Sequence, residues 1–353
     1  GLDIHRECGG KFVFLHARYK GLTPEYDYNT MSDVFKRYSG PLNGETEEQY
    51  LVRVARDLAP KIYLHPGERF YPSSLEYFFQ NVNMTNRYGK KVPASYQEVP
   101  LRPSNLAMKD EFKSYFLMSK QKLKCDSCID PTFFRGQNPN KVSVPVYTIF
   151  SKKSETITDI VYFLFYPYNR GKRVCIGLYT DWGGCAGGYS TFGHHVGDWE
   201  HMTIRLKNNR PTKIFLASHD KGKVLDMHSH NNQATEFRGT HPIVYSAKGS
   251  HGLYEKAGGY KYKSAGLGDS LIDYTGKGVA WNTWENLKIY GIYHPSGNNV
   301  FSGEWKWLNY RGRWGNPRGR KKMPLPDKLG GTQYVLEWGP GFPKYAIDRP
   351  GLE

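Results

Sequence analysis

Nine consecutive residues, Gly193-His194-His195-Val196-Gly197-Asp198-Trp199-Glu200-His201, carry two carboxylates and three imidazoles. The continuation Met202-Thr203-Ile204-Arg205-Leu206 turns this run into a strand, because apolar residues recur at every second position. On such a strand Asp198, Glu200, Met202, Ile204 and Leu206 share one face. Trp199, His201, Thr203 and Arg205 share the other, so Trp199 is expected to serve packing. The strand thus runs from a pair of acids into an apolar core. Two adjacent carboxylates at the mouth of a core repel each other. A bound cation, a nearby Arg or Lys, or protonation of one acid must offset that. His194 and His195 precede the acids on a Gly-flanked stretch, expected to be a loop that folds back over them. Carboxylates with imidazole form a ligand set for a divalent ion: oxygen-dominated sets favour Ca, Mg or Mn, and more imidazole favours Zn. The same groups can act as general acid and base. A structural salt-bridge cluster at the start of a strand is the plainer alternative.

Two further apolar runs end in histidine. One is Ile214-Phe215-Leu216-Ala217-Ser218-His219, and the other runs from Ile243 through Tyr245-Ser246-Ala247-Lys248-Gly249-Ser250 to His251. A strand followed by a small-residue turn places an imidazole at the rim of a sheet. His195, His219 and His251 are therefore the candidate catalytic residues if the protein is an enzyme. Tyr166 and Tyr168, with basic residues, are candidates for the wall of a ligand site. Asp273 is a further candidate acid, with a turn role as its alternative. His228 and His230 lie in a polar loop and are assigned no role. The chain has no GxxxxGK followed by Ser or Thr, no GxGxxG after a strand, no GxSxG and no HExxH. These absences argue against a nucleotide enzyme, a serine hydrolase of the α/β type and a zincin.

The elements that must position these residues read as mostly β. A helix is expected over 45–59, with Tyr50, Leu51, Val54 and Leu58 on one stripe, acids in the first turn and Pro60 as its stop. A strand follows at Ile62–His65, and a second helix is expected near 107–122. Over 142–150, Val142, Val144, Val146, Thr148 and Phe150 fall on one face, and Pro145 suggests an edge strand. Thr158–Tyr166 is a dense β-branched and aromatic strand, Gly183–Gly193 has the composition of a loop, and short strands recur near 200–206, 212–218 and 242–246. This spacing predicts a mainly β protein, a jelly-roll-like β-sandwich with a few short helices and long loops. The 353 residues divide into an extension over 1–55 packed on the core and one domain over 56–353.

Lys and Arg number 49 against 33 Asp and Glu, so the formal net charge is +16. A field of that size attracts polyanions, among them acidic glycans, anionic lipid headgroups and nucleic acid. The segment Arg311–Lys322, with six basic residues among Gly, Pro and Trp, is either a polyanion contact or a solvated loop. No sequence-specific nucleic-acid motif is visible. No apolar run is long enough to span a bilayer, which leaves peripheral membrane contact open. The chain begins at Gly1 without Met, as expected of a secreted protein whose leader has been removed. Of its five cysteines, Cys125 with Cys128 and Cys175 with Cys185 are expected to form local disulfides, leaving Cys8 unpaired.

Four ordered motifs resemble the family of vacuolar protein sorting-associated protein 62, over roughly residues 55–290. They are Ala59-Pro60-Lys61-Ile62-Tyr63-Leu64-His65-Pro66-Gly67-Glu68-Arg69-Phe70-Tyr71-Pro72-Ser73-Ser74, Phe163–Asn169, Gly197–His201 and Tyr245–His251. The family's name records a sorting phenotype and implies little chemistry. More distantly, Gly193–His201 and Ala217-Ser218-His219 are similar to the Gly-His-Arg-His-Asp-Trp-Glu motif and following turn of necrosis- and ethylene-inducing peptide-like proteins. That resemblance implies a β-sandwich cytolysin whose divalent cation grips sugar headgroups of membrane sphingolipids. It implies metal-ligand roles for Asp198 and Glu200, with His194 or His195 as a third ligand. Asn169 stands where those proteins carry an Asp, and the loop before Asp198 is one residue longer. The ligand wall then comprises Tyr166, Tyr168, Asn169, Lys248 and Asp273. The leading expectation is a secreted, divalent-cation-dependent protein that engages anionic glycan or lipid headgroups and is toxin-like. The alternatives are a metal-assisted hydrolase or lyase acting on an acidic polymer, and a structural or adhesive matrix protein.

Overall fold

The dense run Ile157–Asn169 forms a long strand at the heart of a six-stranded sheet. The strand order is Lys221–Asp226, Arg210–Ser218, His195–Lys207, Ile157–Asn169, Val146–Lys152 and Leu287–Tyr293. Every pairing is antiparallel except the last, which is parallel. This is a computed structural model that describes residues 35, 37–108, 113–121, 133–228, 236–265, 269–319, 332–333 and 336–352. Cys8, Cys125, Cys128, His230 and, of the basic run 311–322, Arg320, Lys321 and Lys322 lie outside the described residues.

Ile157–Asn169 does not alternate apolar with polar because both of its faces are buried. Ile160, Tyr162, Leu164 and Tyr166 enter one core with Met202, Ile204 and Leu206 of the neighbouring strand. Val161, Phe163 and Phe165 enter a second core with Trp199. The first core is closed by a smaller sheet, ordered Phe237–Arg238, His241–Ser246, Lys61–Leu64 and Ala280–Asn282, with Leu253–Tyr254 attached to His241–Ser246. Ile62, Leu64, Val244 and Trp281 supply its inner face. The second core is a layer of aromatic rings, including Phe78, Phe134, Trp307 and Trp314. The expected mainly β sandwich is thus present, with an aromatic third layer on the far face of its larger sheet.

The helix predicted over 45–59 spans Glu47–Asp57. Thr46 and Gln49 satisfy each other's backbone N–H groups as a capping box, and Glu47 and Glu48 sit at the positive end of the helix dipole. Its buried stripe, Tyr50, Leu51, Val54 and Ala55, joins the sandwich core, as do Phe35 and Tyr38. Residues on both sides of position 55 therefore share one core.

Three local expectations are corrected. The second helix is absent among the described residues of 107–122: Phe116–Ser119 is a strand paired with Val82–Thr85, and buried Phe116 and Leu117 reward that pairing over helical propensity. The strand after Pro145 starts at Val146 and has neighbours on both sides, so it is internal, and the proline stands outside the ladder. The Gly-rich stretch 183–193 is not all loop, since Cys185–Ala186 and Tyr189–Phe192 are strands. The Cys175–Cys185 disulfide forms as expected, with Cα atoms 5.6 Å apart.

Candidate functional site

The site begins at Gly197. Its φ is +68°, a backbone region that favours glycine. A Cβ there would lie 2.0 Å from the Trp314 carbonyl oxygen. The register runs unbroken across it, with His195, Val196 and Asp198 opposite Asn169, Tyr168 and Tyr166. The faces nevertheless exchange. Asp198 and Glu200 continue the line of Met202 into the sandwich side, whereas Val196 and Tyr168 lie in the aromatic core with Trp199. In a regular strand Val196 would share the face of Asp198. The inversion carries His195 to the acids, with its Nε2 3.9 Å from Asp198 Oδ1. It also carries His194 away from them, where His194 Nδ1 lies 2.6 Å from the Tyr168 hydroxyl. The expected loop folding back over the acids is not what positions them: His195 already belongs to the strand, and the backbone of His194 bridges to Leu336.

Arg210–Ser218 pairs with the site strand only from Met202 onward. Beside residues 195–200 a cleft of about 840 Å³ opens, with Asp198 and Glu200 at its floor and Asn169, Lys172, His195, His219, Tyr262 and Tyr345 among its walls. Asp198 Oδ2 lies 2.8 Å from His251 Nδ1. His251 is fully buried, stacked on the Tyr166 ring at 3.8 Å, with Nε2 3.1 Å from the Phe70 carbonyl. A carbonyl only accepts, so Nε2 is the donor to Phe70 and Nδ1 is the ring nitrogen turned to the Asp198 carboxylate. Asp198 Oδ1 is left facing His195.

Glu200 is 7% exposed and makes no hydrogen bond or ion pair among the described residues. Burial, then the charges of Asp198 and Asp273, push its carboxyl well above the ordinary value. Asp273 behaves in the opposite way. It is fully buried, and its Oδ2 accepts from His219 Nε2 and the Tyr254 hydroxyl, both at 2.8 Å. Its Oδ1 accepts from the Ser250 hydroxyl and lies 3.1 Å from Lys172 Nζ. Burial opposes ionisation, but the His219 hydrogen bond and the Lys172 charge outweigh it and hold this carboxyl at about 2. A permanent anion therefore stands behind Glu200, with its lone pairs already engaged. His219 and His251 have φ of +55° and +62°, unusual for residues with a Cβ. The Asp273 bond and a 3.7 Å stack on Tyr262 hold the first, and Asp198 and Tyr166 hold the second. Strain of this kind clusters at functional sites.

Among the described residues, no three His, Cys, Asp or Glu side chains converge as a ready metal-ligand set. Asp198 and Glu200 are the adjacent carboxylates on the site strand, with His195 beside them, and Asp220, Glu337 and His219 also line the cleft. Two carboxylates suit a hard ion that keeps several of its waters, as Mg does.

The structure brings Asp198, Glu200, His195, His219 and Asn169 to one cleft and sets Asp273, His251 and Tyr166 behind it. It does not bring His194 or Tyr168 there, and Lys248 lines a neighbouring basic cleft instead. Lys172, Tyr254, Tyr262 and Tyr345 were not anticipated. They arrive from remote segments, and only the basic run after Asn169 hinted at Lys172.

His201, on the aromatic side, packs against Phe215 and has Nε2 3.3 Å from the Tyr345 hydroxyl. Burial, then the charge of Arg349, pulls its imidazole from 6.5 down to about 3. A depressed histidine favours the fold fully above 6.5, and that contribution is lost as pH falls towards 3. His201→Phe is expected to flatten this acid limb, which otherwise has a slope of up to about 1.4 kcal/mol per pH unit. Denaturant unfolding at a series of pH values measures it, and an unchanged limb contradicts the assignment.

The profile of vacuolar protein sorting-associated protein 62 matches residues 35–319. The chain is 23% identical over 330 residues to the vacuolar protein sorting-associated protein TDA6 of Saccharomyces cerevisiae, covering 83% of this chain and 66% of that one. It is 22% identical over 300 residues to vacuolar protein sorting-associated protein 62 of the same yeast, covering 78% and 61%. The chain thus spans less than two thirds of the length of these relatives. Among solved structures it is similar to Necrosis and Ethylene inducing Protein 2 from the causal agent of cocoa's Witches Broom disease, at 15% identity and a TM-score of 0.27 over 57% of this chain and 67% of that one. It is also similar to NLPPya in complex with glucosamine, at 14% identity and a TM-score of 0.29 over 59% and 68%. The chain belongs to the vacuolar protein sorting-associated protein 62 family.

Proposed function

We propose that the acid-floored cleft holds a hydrated divalent cation between Asp198 and Glu200 and uses it to engage the hydroxyls and anionic groups of a glycan or lipid headgroup. The observation that carries this reading is Glu200: a buried carboxyl at the floor of an open cleft, with no partner among the described residues. A cation that displaces its proton satisfies it; so does a hydroxyl that accepts from it. His195 and His219 offer hydrogen bonds at the rim, and Tyr262 and Tyr345 offer flat apolar faces. The Cys175–Cys185 disulfide supports work in an oxidising, extracellular setting.

A second reading rests on the same raised carboxyl. A protonated Glu200 beside His195 and His219 can serve as general acid with an imidazole base, as in a hydrolase or lyase on an acidic polymer. Sustained turnover distinguishes that reading from stoichiometric binding. A purely adhesive role predicts that Glu200→Gln leaves polyanion binding unchanged.

The test is thermal unfolding after exhaustive chelation, then with Mg, Ca, Mn or Zn restored. An ion at about 100 times its Kd adds about 2.7 kcal/mol, a rise of roughly 4 °C for a domain of this size. The rise is expected with Mg, Ca or Mn and is expected to vanish in Glu200→Gln. No shift with any ion overturns the cation reading.

A further inference from the structure

Between strands Lys172–Cys175 and Tyr189–Phe192 the chain projects as a small finger. Leu178–Tyr179 pairs with Cys185–Ala186, and the Cys175–Cys185 disulfide closes the base. Trp182 is 97% exposed, Tyr179 59%, Leu178 58% and Ile176 42%. Scattered exposed hydrophobic residues are ordinary, but four on one cross-linked finger form a patch that asks for a partner.

At the foot of the finger lies a second cleft of about 430 Å³, which adjoins the acid-floored one along Arg170–Lys172 and is lined by Tyr179 and by five cations, Arg69, Arg170, Lys172, Arg173 and Lys248. Its two carboxylates are occupied by the surrounding walls. Glu68 accepts from the N–H groups of Arg69 and Phe70 at 2.8 Å and of Gly249 at 2.7 Å. Asp269 accepts from the Cys175 and Ser270 N–H groups at 2.9 and 2.7 Å and from the Tyr179 hydroxyl at 2.7 Å. That last bond ties the finger to the cleft. Lys172 is held by Asp273 and the Lys248 carbonyl, whereas Arg69 and Lys248 make no ion pair among the described residues.

An aromatic tip beside a basic cleft matches the layering of a lipid surface. Trp and Tyr settle at headgroup level, and Lys and Arg meet lipid phosphates just above. A soluble sulfated glycan would satisfy the cations but leave the finger unused. We infer that the Cys175–Cys185 finger and the basic cleft form one docking surface for an anionic phospholipid bilayer, with Trp182 entering the interface and a lipid phosphate seated by Arg69 and Lys248. This surface stands apart from the cation reading of Asp198 and Glu200, and needs no divalent ion.

Vesicle cosedimentation in EDTA tests it, because chelation silences the acid-floored cleft. The probes are vesicles of phosphatidylcholine alone and of phosphatidylcholine enriched in phosphatidic acid. The wild type is expected to bind the acidic vesicles and not the neutral ones. Arg69→Gln/Lys248→Gln is expected to weaken binding about 30-fold. Trp182→Ser is expected to weaken it about tenfold. All three side chains are exposed, so melting temperatures should stay at the wild-type value. Equal binding to both vesicles, or acidic-vesicle binding that either variant leaves unchanged, overturns the inference. So does capture by heparin, indifferent to Trp182→Ser, from a protein that ignores vesicles.

Discussion

Gly197→Ala is expected to be among the most damaging single-methyl additions this protein can receive. A residue with a Cβ pays about 1–2 kcal/mol for the left-handed backbone alone. Here the new methyl would also stand 2.0 Å from the Trp314 carbonyl oxygen, in a layer where Trp314, Trp199 and Trp307 pack ring against ring. Neither backbone can yield without moving those rings, so the expected cost is about 4 kcal/mol or more. Gly193 is the control. Its φ is +89°, but the nearest atom to its Cβ is 3.7 Å away, so Gly193→Ala should cost only about 1–2 kcal/mol. Denaturant unfolding of the two variants measures the difference. Equal losses contradict the claim that Gly197 inverts the strand against Trp314.

Glu200→Gln is expected to do the reverse in the absence of divalent ions and raise stability at neutral pH. Burial and the charges of Asp198 and Asp273 raise the Glu200 carboxyl well above 4.5, so the folded chain holds a proton that the unfolded chain has released. Between 4.5 and the raised value, each pH unit upward then costs the fold about 1.4 kcal/mol. A glutamine keeps the shape and removes that slope. Stability held back by an unsatisfied acid is a usual mark of a working site. Unfolding free energies in EDTA across pH 5 to 8 check this. A Glu200→Gln variant that is less stable than the wild type throughout that range contradicts it.

The face assignment along 198–206 was legible because period two is strict once a strand is recognised, and Met202, Ile204 and Leu206 do enter one core while Trp199 enters the other. The helix at Glu47–Asp57 was legible from its stripe and caps. The switch from His194 to His195 was not read, although a glycine inside a strand pattern is a signal for such a break. A side-chain period says nothing about the sign of φ at its one glycine. The Asp273 network was hidden for another reason: Lys172, His219, Ser250 and Tyr254 come from four segments that only the folded topology joins. Pro145 misled because its rule concerns residues within a ladder, and the ladder starts one residue later.

The central claim is that Asp198 and Glu200 hold one hydrated divalent ion. Electron paramagnetic resonance titration of Mn²⁺ into the wild type and into Glu200→Gln tests it most directly, because bound and free Mn²⁺ give distinct signals whatever the biological ligand. The expected result is a single saturable site in the wild type, displaced by Mg²⁺ and lost in Glu200→Gln. No bound Mn²⁺ in the wild type, or equal binding in both proteins, would contradict the account and leave Glu200 as a buried acid whose proton, not a metal, is what it offers to a ligand.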